Sequence, residues 1–195
     1  MHNILFLITL FPGILLLLTK WIPVLCRKST FFQYLLCLFL ITIMNCLFFR
    51  QHLVVVFSLI CIFFLPFILF FVEYILVERQ WKKLLTIYKK NRIIIQSIVW
   101  FPVLEEIIFR FFIYQYCELF DFSNIQYILL ATFSFVIAHI FYQGVSSIVK
   151  ILFSVILSIL FLLTLNIFVT IIIHCIFNFL VYIVRTSKYE SHHSW

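Results

Sequence analysis

Charged residues and glycine are both scarce in this sequence. Only 11% of its 195 residues are charged and 66% are hydrophobic, whereas soluble domains contain about a quarter charged and about half apolar residues. This composition excludes a soluble globular domain and indicates an integral membrane protein. With 2 glycines in the whole chain, the sequence also argues against a transporter or channel, because such proteins use discontinuous, glycine-rich helices.

Paired cysteines are missing as well. The chain has 6 cysteines and no CxxC motif, and most of them lie inside apolar runs. They are Cys26, Cys37, Cys46, Cys61, Cys117 and Cys175. Cysteines in such positions behave as small apolar residues of helices, so we expect neither disulfide bonds nor a cysteine-ligated zinc site.

A net charge of +7 raises the question of nucleic-acid binding. The basic residues, however, lie in the short gaps between the apolar runs. There they attract anionic lipid headgroups and determine the orientation of membrane segments. We therefore expect these charges to contact the lipid bilayer, and we expect no nucleic-acid partner.

The apolar runs predict an all-α polytopic membrane protein. A run of about 20 residues crosses the hydrocarbon core, and the sequence contains about seven such runs, with six to eight as the range. They lie at 3–25, 31–49, 53–77, 93–117, 125–142, 146–164 and 167–185. The last two are contiguous apolar sequence, too long for one crossing, and we divide them at "TLN", Thr164 to Asn166. Without repeats or linkers, residues 1–195 are expected to form one membrane domain.

The distribution of basic residues predicts the orientation of the spans. With seven crossings, alternate loops lie on the same side, and one side receives most of the basic residues. That side receives Arg27, Lys28, Arg79, Lys82, Lys83, Lys89, Lys90, Arg92, Lys150, Arg185 and Lys188. The N-terminus is therefore expected outside and the C-terminus in the cytoplasm. The first segment has no basic region or cleavage site, so we expect a retained helix; the alternative is six spans with this segment in the membrane interface.

The basic segment 78–92 is predicted to be an amphipathic helix on the cytoplasmic leaflet. Trp81, Leu84, Leu85 and Tyr88 recur at i, i+3, i+4 and i+7, and the lysines lie mostly away from this stripe. Such a helix places its apolar face in the membrane interface. It would serve as a passive anchor or as a gate.

Three charges interrupt the fourth apolar run, in the stretch "PVLEEIIFR". Each costs roughly 2.5–3.5 kcal/mol to insert at the centre of a spanning helix. Glu106 and Arg110 are four residues apart and can form an ion pair on one helix face. Glu105 is rotated from Glu106 by about 100° and has no partner in its own helix. Pro102 is expected to interrupt the hydrogen-bond ladder just before it.

Two later helices also place polar groups at membrane depth. Phe135 and His139, and likewise His174 and Asn178, are four residues apart and share a helix face. Ionisable groups within membrane spans usually face the bundle interior and each other. We expect these helices to bring Glu105 and the two histidines together; the alternative is that the polar groups only fix helix packing.

At these residues the sequence resembles the CPBP intramembrane proteases, also called the CAAX-protease and bacteriocin-processing or Abi family. The family pattern EExxxR, FxxxH and HxxxN stands in order as "EEIIFR" (105–110), "FVIAH" (135–139) and "HCIFN" (174–178). The flanks "AHIFYQG" and "TLNIFVTIIIH" are similar too, although Leu165 and Asn166 replace the family's usual Gly-Ser. The resemblance covers 93–185, the last four predicted spans, and the first three spans have no motif.

The resemblance implies a role for each motif residue. Glu105 with His139 would activate the attacking water, and His174 with Asn178 would stabilise the oxyanion. Glu106 with Arg110 would support the fold of the site. We expect no cofactor; the alternative is a zinc ion on Glu105, His139 and His174, since three such ligands suit catalytic zinc.

Other intramembrane proteases lack their required residues here. An aspartyl type needs two aspartates, and the chain has only Asp121. The zinc motif HExxH is absent, and "GVSS" at 144–147 lacks the second glycine of a rhomboid-type GxSG. The non-enzymatic alternative is a membrane scaffold or immunity protein that acts by binding a partner.

The expected substrate is a membrane-associated peptide, cut near the cytoplasmic side of a bacterial cell membrane. Bacterial relatives are linked to bacteriocin self-immunity and to maturation of secreted peptides and pheromones. A prenylated substrate would require a eukaryotic setting, for which the sequence gives no sign.

Overall fold

The computed structural model describes residues 2–52, 54, 56, 58, 62, 68, 69, 72 and 81–191. These residues are almost entirely helical and form no β-strand, which confirms the all-α fold class. The helices are α1 His2–Leu10, α2 Pro12–Thr19, α3 Pro23–Cys26, α4 Thr30–Phe48, α5 Trp81–Ile95, α6 Phe101–Glu106, α7 Ile113–Leu119, α8 Asn124–Gln143, α9 Lys150–Thr164 and α10 Ile167–Ser191. Two π-helical segments, Gln96–Trp100 and Ile107–Phe112, flank α6, and 3-10 turns lie at Arg50–His52 and Val145–Val149.

Three helical stretches in the described part of the chain are long and apolar enough to cross a membrane. They are Thr30–Phe48, Asn124–Gln143 and Val145–Thr164, and Ile167–Ile183 is a shorter apolar helix. They correspond to four of the predicted spans. The predicted span at 53–77 lies largely outside the described residues, so the count of seven stays a prediction.

The first predicted span, 3–25, is not a single helix. It breaks at Phe11, whose backbone leaves the helical region at φ −125° and ψ 63°, and α2 then starts at Pro12. The pyrrolidine ring clashes with the preceding turn and has no N–H to continue the ladder, so proline begins a new helix instead. At 1.5 Å per residue, α1 and α2 are each only about 12–14 Å long.

The predicted division of the last apolar stretch is confirmed. Helix α9 ends at Thr164 and α10 begins at Ile167. Leu165 takes a left-handed conformation with φ 46°. The side-chain oxygen of Asn166 accepts a hydrogen bond from the backbone N–H of Phe168 at 3.0 Å, which gives the new helix a partner for one of its unpaired donors.

The predicted amphipathic segment is helical where it is described, since α5 spans Trp81–Ile95. Residues 78–80 and the side chains of 81–85 lie outside the described part of the structure. The apolar stripe and its position on the membrane therefore stay predictions.

The chain forms two compact units. The first contains 1–53 and 104–170, and the second contains 54–103 and 171–195. In the first unit, α8 packs against α2, α7 and α9. The close approach of α2 needs Gly13, because a Cβ there would collide with the ring of Phe141. Helices α1 and α4 are joined by a hydrogen bond from the Asn45 amide to the Thr9 hydroxyl at 2.9 Å.

Candidate active site

Glu105 and His139 meet inside the first unit. Glu105 lies on α6 and His139 on α8, and their side chains are each only 3% exposed. The Oε1 atom of Glu105 lies 3.6 Å from Nε2 of His139. Residues 34 positions apart in sequence are thus brought to one buried point by the packing of two helices.

The hydrogen bond on the far side of the imidazole determines which nitrogen bears the proton. Nδ1 of His139 lies 2.9 Å from the carbonyl oxygen of Phe135. A carbonyl oxygen can only accept, so we assign the proton of the neutral ring to Nδ1. Nε2 then presents its lone pair toward Glu105. At 3.6 Å the two acceptors are too far apart for a direct hydrogen bond, but they can both accept from one small donor such as water.

A third side chain, Tyr34 on α4, reaches the same carboxylate. Its hydroxyl donates to Oε1 of Glu105 at 3.0 Å, and the residue is completely buried. Tyr34 is not predictable from the sequence, because it lies in a span without a motif. It is one of 9 tyrosines, and no spacing along the chain relates it to Glu105.

Glu106 and Arg110 form the expected ion pair beside this centre. Nε of Arg110 lies 3.3 Å from Oε2 of Glu106, and both side chains are fully buried. The guanidinium also donates to the hydroxyl of Ser154 at 3.1 Å and lies 4.7 Å from the ring centroid of Phe135. The charge of Arg110 is thus met by a carboxylate, a hydroxyl and an aromatic face. The ion pair and the Ser154 contact connect α6, the following π-helical segment and α9.

His174 and Asn178 lie on α10 in the second unit. His174 is 2% exposed. The side-chain amide of Asn178 donates to the carbonyl oxygen of Ser97 at 2.8 Å. Their predicted convergence with Glu105 and His139 stays a prediction.

The Ser97 carbonyl needs this donor because of Pro102. The backbone N–H of Phe101 bonds to the carbonyl of Gln96, five residues earlier, as is usual in a π-helix. In the same register residue 102 would donate to Ser97, but a proline has no N–H. The predicted interruption of the ladder is therefore present, and Asn178 supplies the missing hydrogen bond.

The alternative to a metal-free site is a zinc ion on Glu105, His139 and His174. No group of three His, Cys, Asp or Glu side chains that could hold a metal ion occurs among the residues described. Glu105 and His139 supply two ligands in the first unit, whereas catalytic zinc sites take three protein ligands. Since His174, the third ligand of the zinc alternative, lies on α10 in the second unit, both the metal-free site and the zinc alternative stay predictions.

One of the comparisons with known proteins finds a family that the segment containing these residues is similar to. Residues 89–180 match the family described as type II CAAX prenyl endopeptidase, Rce1-like. This match confirms the resemblance to the CAAX-protease family, and it includes all seven motif residues. Neither the curated proteins nor the solved structures gave a match to this chain.

Proposed function

We propose that this protein is an intramembrane endopeptidase that hydrolyses a membrane-associated peptide. The match of residues 89–180 to the Rce1-like CAAX-protease family supports this proposal. The observation that supports the proposal most directly is the buried pair of Glu105 and His139. Two facing acceptors 3.6 Å apart are suited to holding one water molecule by both of its hydrogens.

In the proposed first step, the water attacks the carbonyl carbon of the scissile peptide bond. The carboxylate of Glu105 accepts one proton from the water, while Nε2 of His139 holds the other hydrogen. A C–O bond forms and the carbonyl electron pair moves onto oxygen, which gives a tetrahedral oxyanion. General-base help of this kind typically contributes about 10²–10⁴-fold in rate.

In the second step, the oxyanion collapses and the C–N bond breaks. The protonated carboxyl group of Glu105 returns its proton to the leaving amine, so that one water is consumed and one acid and one amine are formed. No step requires a metal ion.

His174 and Asn178 are proposed to stabilise the oxyanion between these steps. Two donors on one helix face suit a developing negative charge, and loss of one such donor typically costs about 10²–10³-fold in rate. The amide of Asn178 has two N–H groups. Since one of them is used by the Ser97 carbonyl, the proposal assigns the other to the oxyanion.

The proposed substrate is a peptide that reaches the site from the membrane, cut near its cytoplasmic side. The proposed setting is the cell membrane of a bacterium, with the protein crossing it several times. Cleavage of such a peptide would serve bacteriocin self-immunity or the maturation of a secreted peptide.

The test compares the purified wild type with Glu105→Gln in lipid nanodiscs. Gln keeps the shape of the side chain and removes the base. The matched control is Glu118→Gln, which makes the same change at an exposed position on α7. Membrane-associated peptides, including one with a prenylated C-terminal CAAX sequence, are incubated with each protein and analysed by mass spectrometry. We expect cleavage by the wild type and the control, and a loss of about 10²–10⁴-fold in Glu105→Gln.

The remaining outcomes separate the alternatives. Loss of activity with a strong chelator would replace the metal-free mechanism with the zinc alternative on Glu105, His139 and His174. If the wild type cuts no peptide, Glu105→Gln is tested for the phenotype of the protein in its host. Full function of that variant would overturn the endopeptidase proposal and leave a scaffold that acts by binding.

A further inference from the structure

Tyr34 belongs to a part of the chain that no motif or family match covers. It lies on α4, and the segment that matches the family begins at residue 89. Its phenol nevertheless donates to Oε1 of Glu105 at 3.0 Å. That oxygen is the same atom that lies 3.6 Å from Nε2 of His139. One carboxylate oxygen thus faces a tyrosine from the first part of the chain and a histidine from the family segment.

The ring of Tyr34 is held by its neighbours. It stacks on the ring of Tyr142, with centroids 4.7 Å apart and planes inclined by 12°. It also meets the ring of His139 nearly edge to face at 6.3 Å. Phe31, one turn earlier on α4, packs against the ring of Tyr142, with ring centroids 5.1 Å apart. Because Tyr142 and His139 are three residues apart on α8, the same helix that presents the histidine fixes the phenol.

The carboxylate of Glu105 needs a hydrogen-bond donor such as Tyr34 because it is buried. A carboxylate with 3% of its side chain exposed has lost most of its hydration, and a buried polar group without donors is costly. An ionised carboxylate can only accept hydrogen bonds. A phenol supplies a strong donor, and a bond to an ionised acceptor is roughly twice as strong as a neutral one. The bond also fixes the rotation of the carboxylate relative to the imidazole.

We propose that Tyr34 is a positioning residue that orients the carboxylate of Glu105 toward His139 for water activation. The inference rests on the proposed function, because it assigns Tyr34 a role through the base of that reaction. It makes α4 part of the working site, although α4 contains none of the family motifs.

The test uses Tyr34→Phe, which removes the hydroxyl and keeps the stacked ring. The matched control is Tyr116→Phe, at another fully buried tyrosine of the same unit, whose ring packs against Phe6 and Phe49. Two readouts are taken. The first is kcat and KM for a cleaved peptide. The second is the infrared carboxyl band of Glu105, assigned as the band that is lost in Glu105→Gln, which needs no substrate.

We expect Tyr34→Phe to lower kcat on the order of 10- to 100-fold with little change in KM, because misplacement of a reacting group costs rate more than binding. We also expect it to shift the Glu105 band, while Tyr116→Phe changes neither. An unshifted Glu105 band in Tyr34→Phe would overturn the hydrogen bond between Tyr34 and Glu105. A shifted band with wild-type kcat would overturn the positioning role and leave the proposed function standing.

Two further outcomes are distinguished by the same variants. An equal loss of kcat in Tyr116→Phe would assign the effect to packing and overturn the specific role. A wild type that cleaves no peptide, with Glu105→Gln fully functional in the host, would overturn the proposed function and the role of Tyr34 together, whatever the band shows.

Discussion

Leu165 shows how a single residue at the boundary of two helices can carry backbone strain. Its φ of 46° lies in the left-handed region, where the Cβ of an L-residue crowds the following carbonyl oxygen at a cost of about 1–2 kcal/mol. The side chain is 63% exposed, so packing does not offset this cost. Leucine stands here at the position where the CPBP family usually has glycine, the residue that enters this region without strain.

We therefore expect Leu165→Gly to stabilise the protein. Relief of the strain exceeds the entropy that glycine adds to the unfolded chain, and a net gain of about 1 kcal/mol in the free energy of unfolding is expected. The measurement is thermal unfolding in detergent. The control is Leu163→Gly, at an exposed position inside α9, where glycine should cost about 1 kcal/mol. Equal destabilisation by both variants would contradict strain at Leu165.

At the scale of elements, Pro102 and Asn178 illustrate how two segments of the second unit are joined. In the register of the π-helical segment Gln96–Trp100, residue 102 would donate to the Ser97 carbonyl, but a proline has no N–H to donate. Asn178 of α10 donates instead, at 2.8 Å. Asn178, which the family resemblance assigns to the oxyanion, thus also forms a structural hydrogen bond. The structural role can be measured separately from the catalytic one, because it affects the free energy of unfolding.

The prediction is a coupling between Asn178→Ala and Pro102→Ala. In the wild type, Asn178→Ala leaves the Ser97 carbonyl without its donor and should cost about 1–3 kcal/mol of unfolding free energy. In the Pro102→Ala background, the new N–H of residue 102 can donate to Ser97, so the cost should fall. A double-mutant cycle by thermal unfolding should give a coupling of at least about 0.5 kcal/mol. Additive effects of the two substitutions would contradict the inference that residue 102 and Asn178 can donate to the same Ser97 carbonyl.

The sequence predicts some of these elements and misses others for identifiable reasons. The break at Thr164 to Asn166 is predictable because the apolar stretch is too long for one crossing. The break before Pro12 was missed because a count of apolar residues does not register a proline inside the run. The π-helical segments are not predictable from a period of 3.6 residues.

The sequence likewise predicts some contacts of the candidate site and does not predict others. Spacing four apart along a helix predicts the pair of Glu106 and Arg110, which the structure contains. The contact of Tyr34 with Glu105 joins residues 71 positions apart. Such a contact depends on how α4 packs against α6 and leaves no periodic signal in the sequence. The joint action of His174 and Asn178 with Glu105 stays a prediction.

For the whole molecule, the distribution of charge predicts how the expected spans are oriented in the membrane. Most of the basic residues fall in alternate gaps between the predicted spans, and alternate gaps lie on the same side of the membrane. The acidic loop with Glu118 and Asp121, which follows α7, then lies on the other side. An odd count requires the N-terminal segment to cross. Its two helices, broken at Phe11, must together span the roughly 30 Å of hydrocarbon.

We predict a cytoplasmic C-terminus and an N-terminus on the outer side. The measurement fuses a reporter that is active on only one side of the membrane to each end in turn, in a bacterial expression strain. Reporters on opposite sides would support an odd number of crossings and an N-terminal segment that spans. Both reporters in the cytoplasm would contradict the predicted count and would place α1 and α2 in the interface. In that case the cytoplasmic positions of the basic gaps would still hold, because the positive residues from Arg79 onward orient the later helices whether or not the first segment crosses.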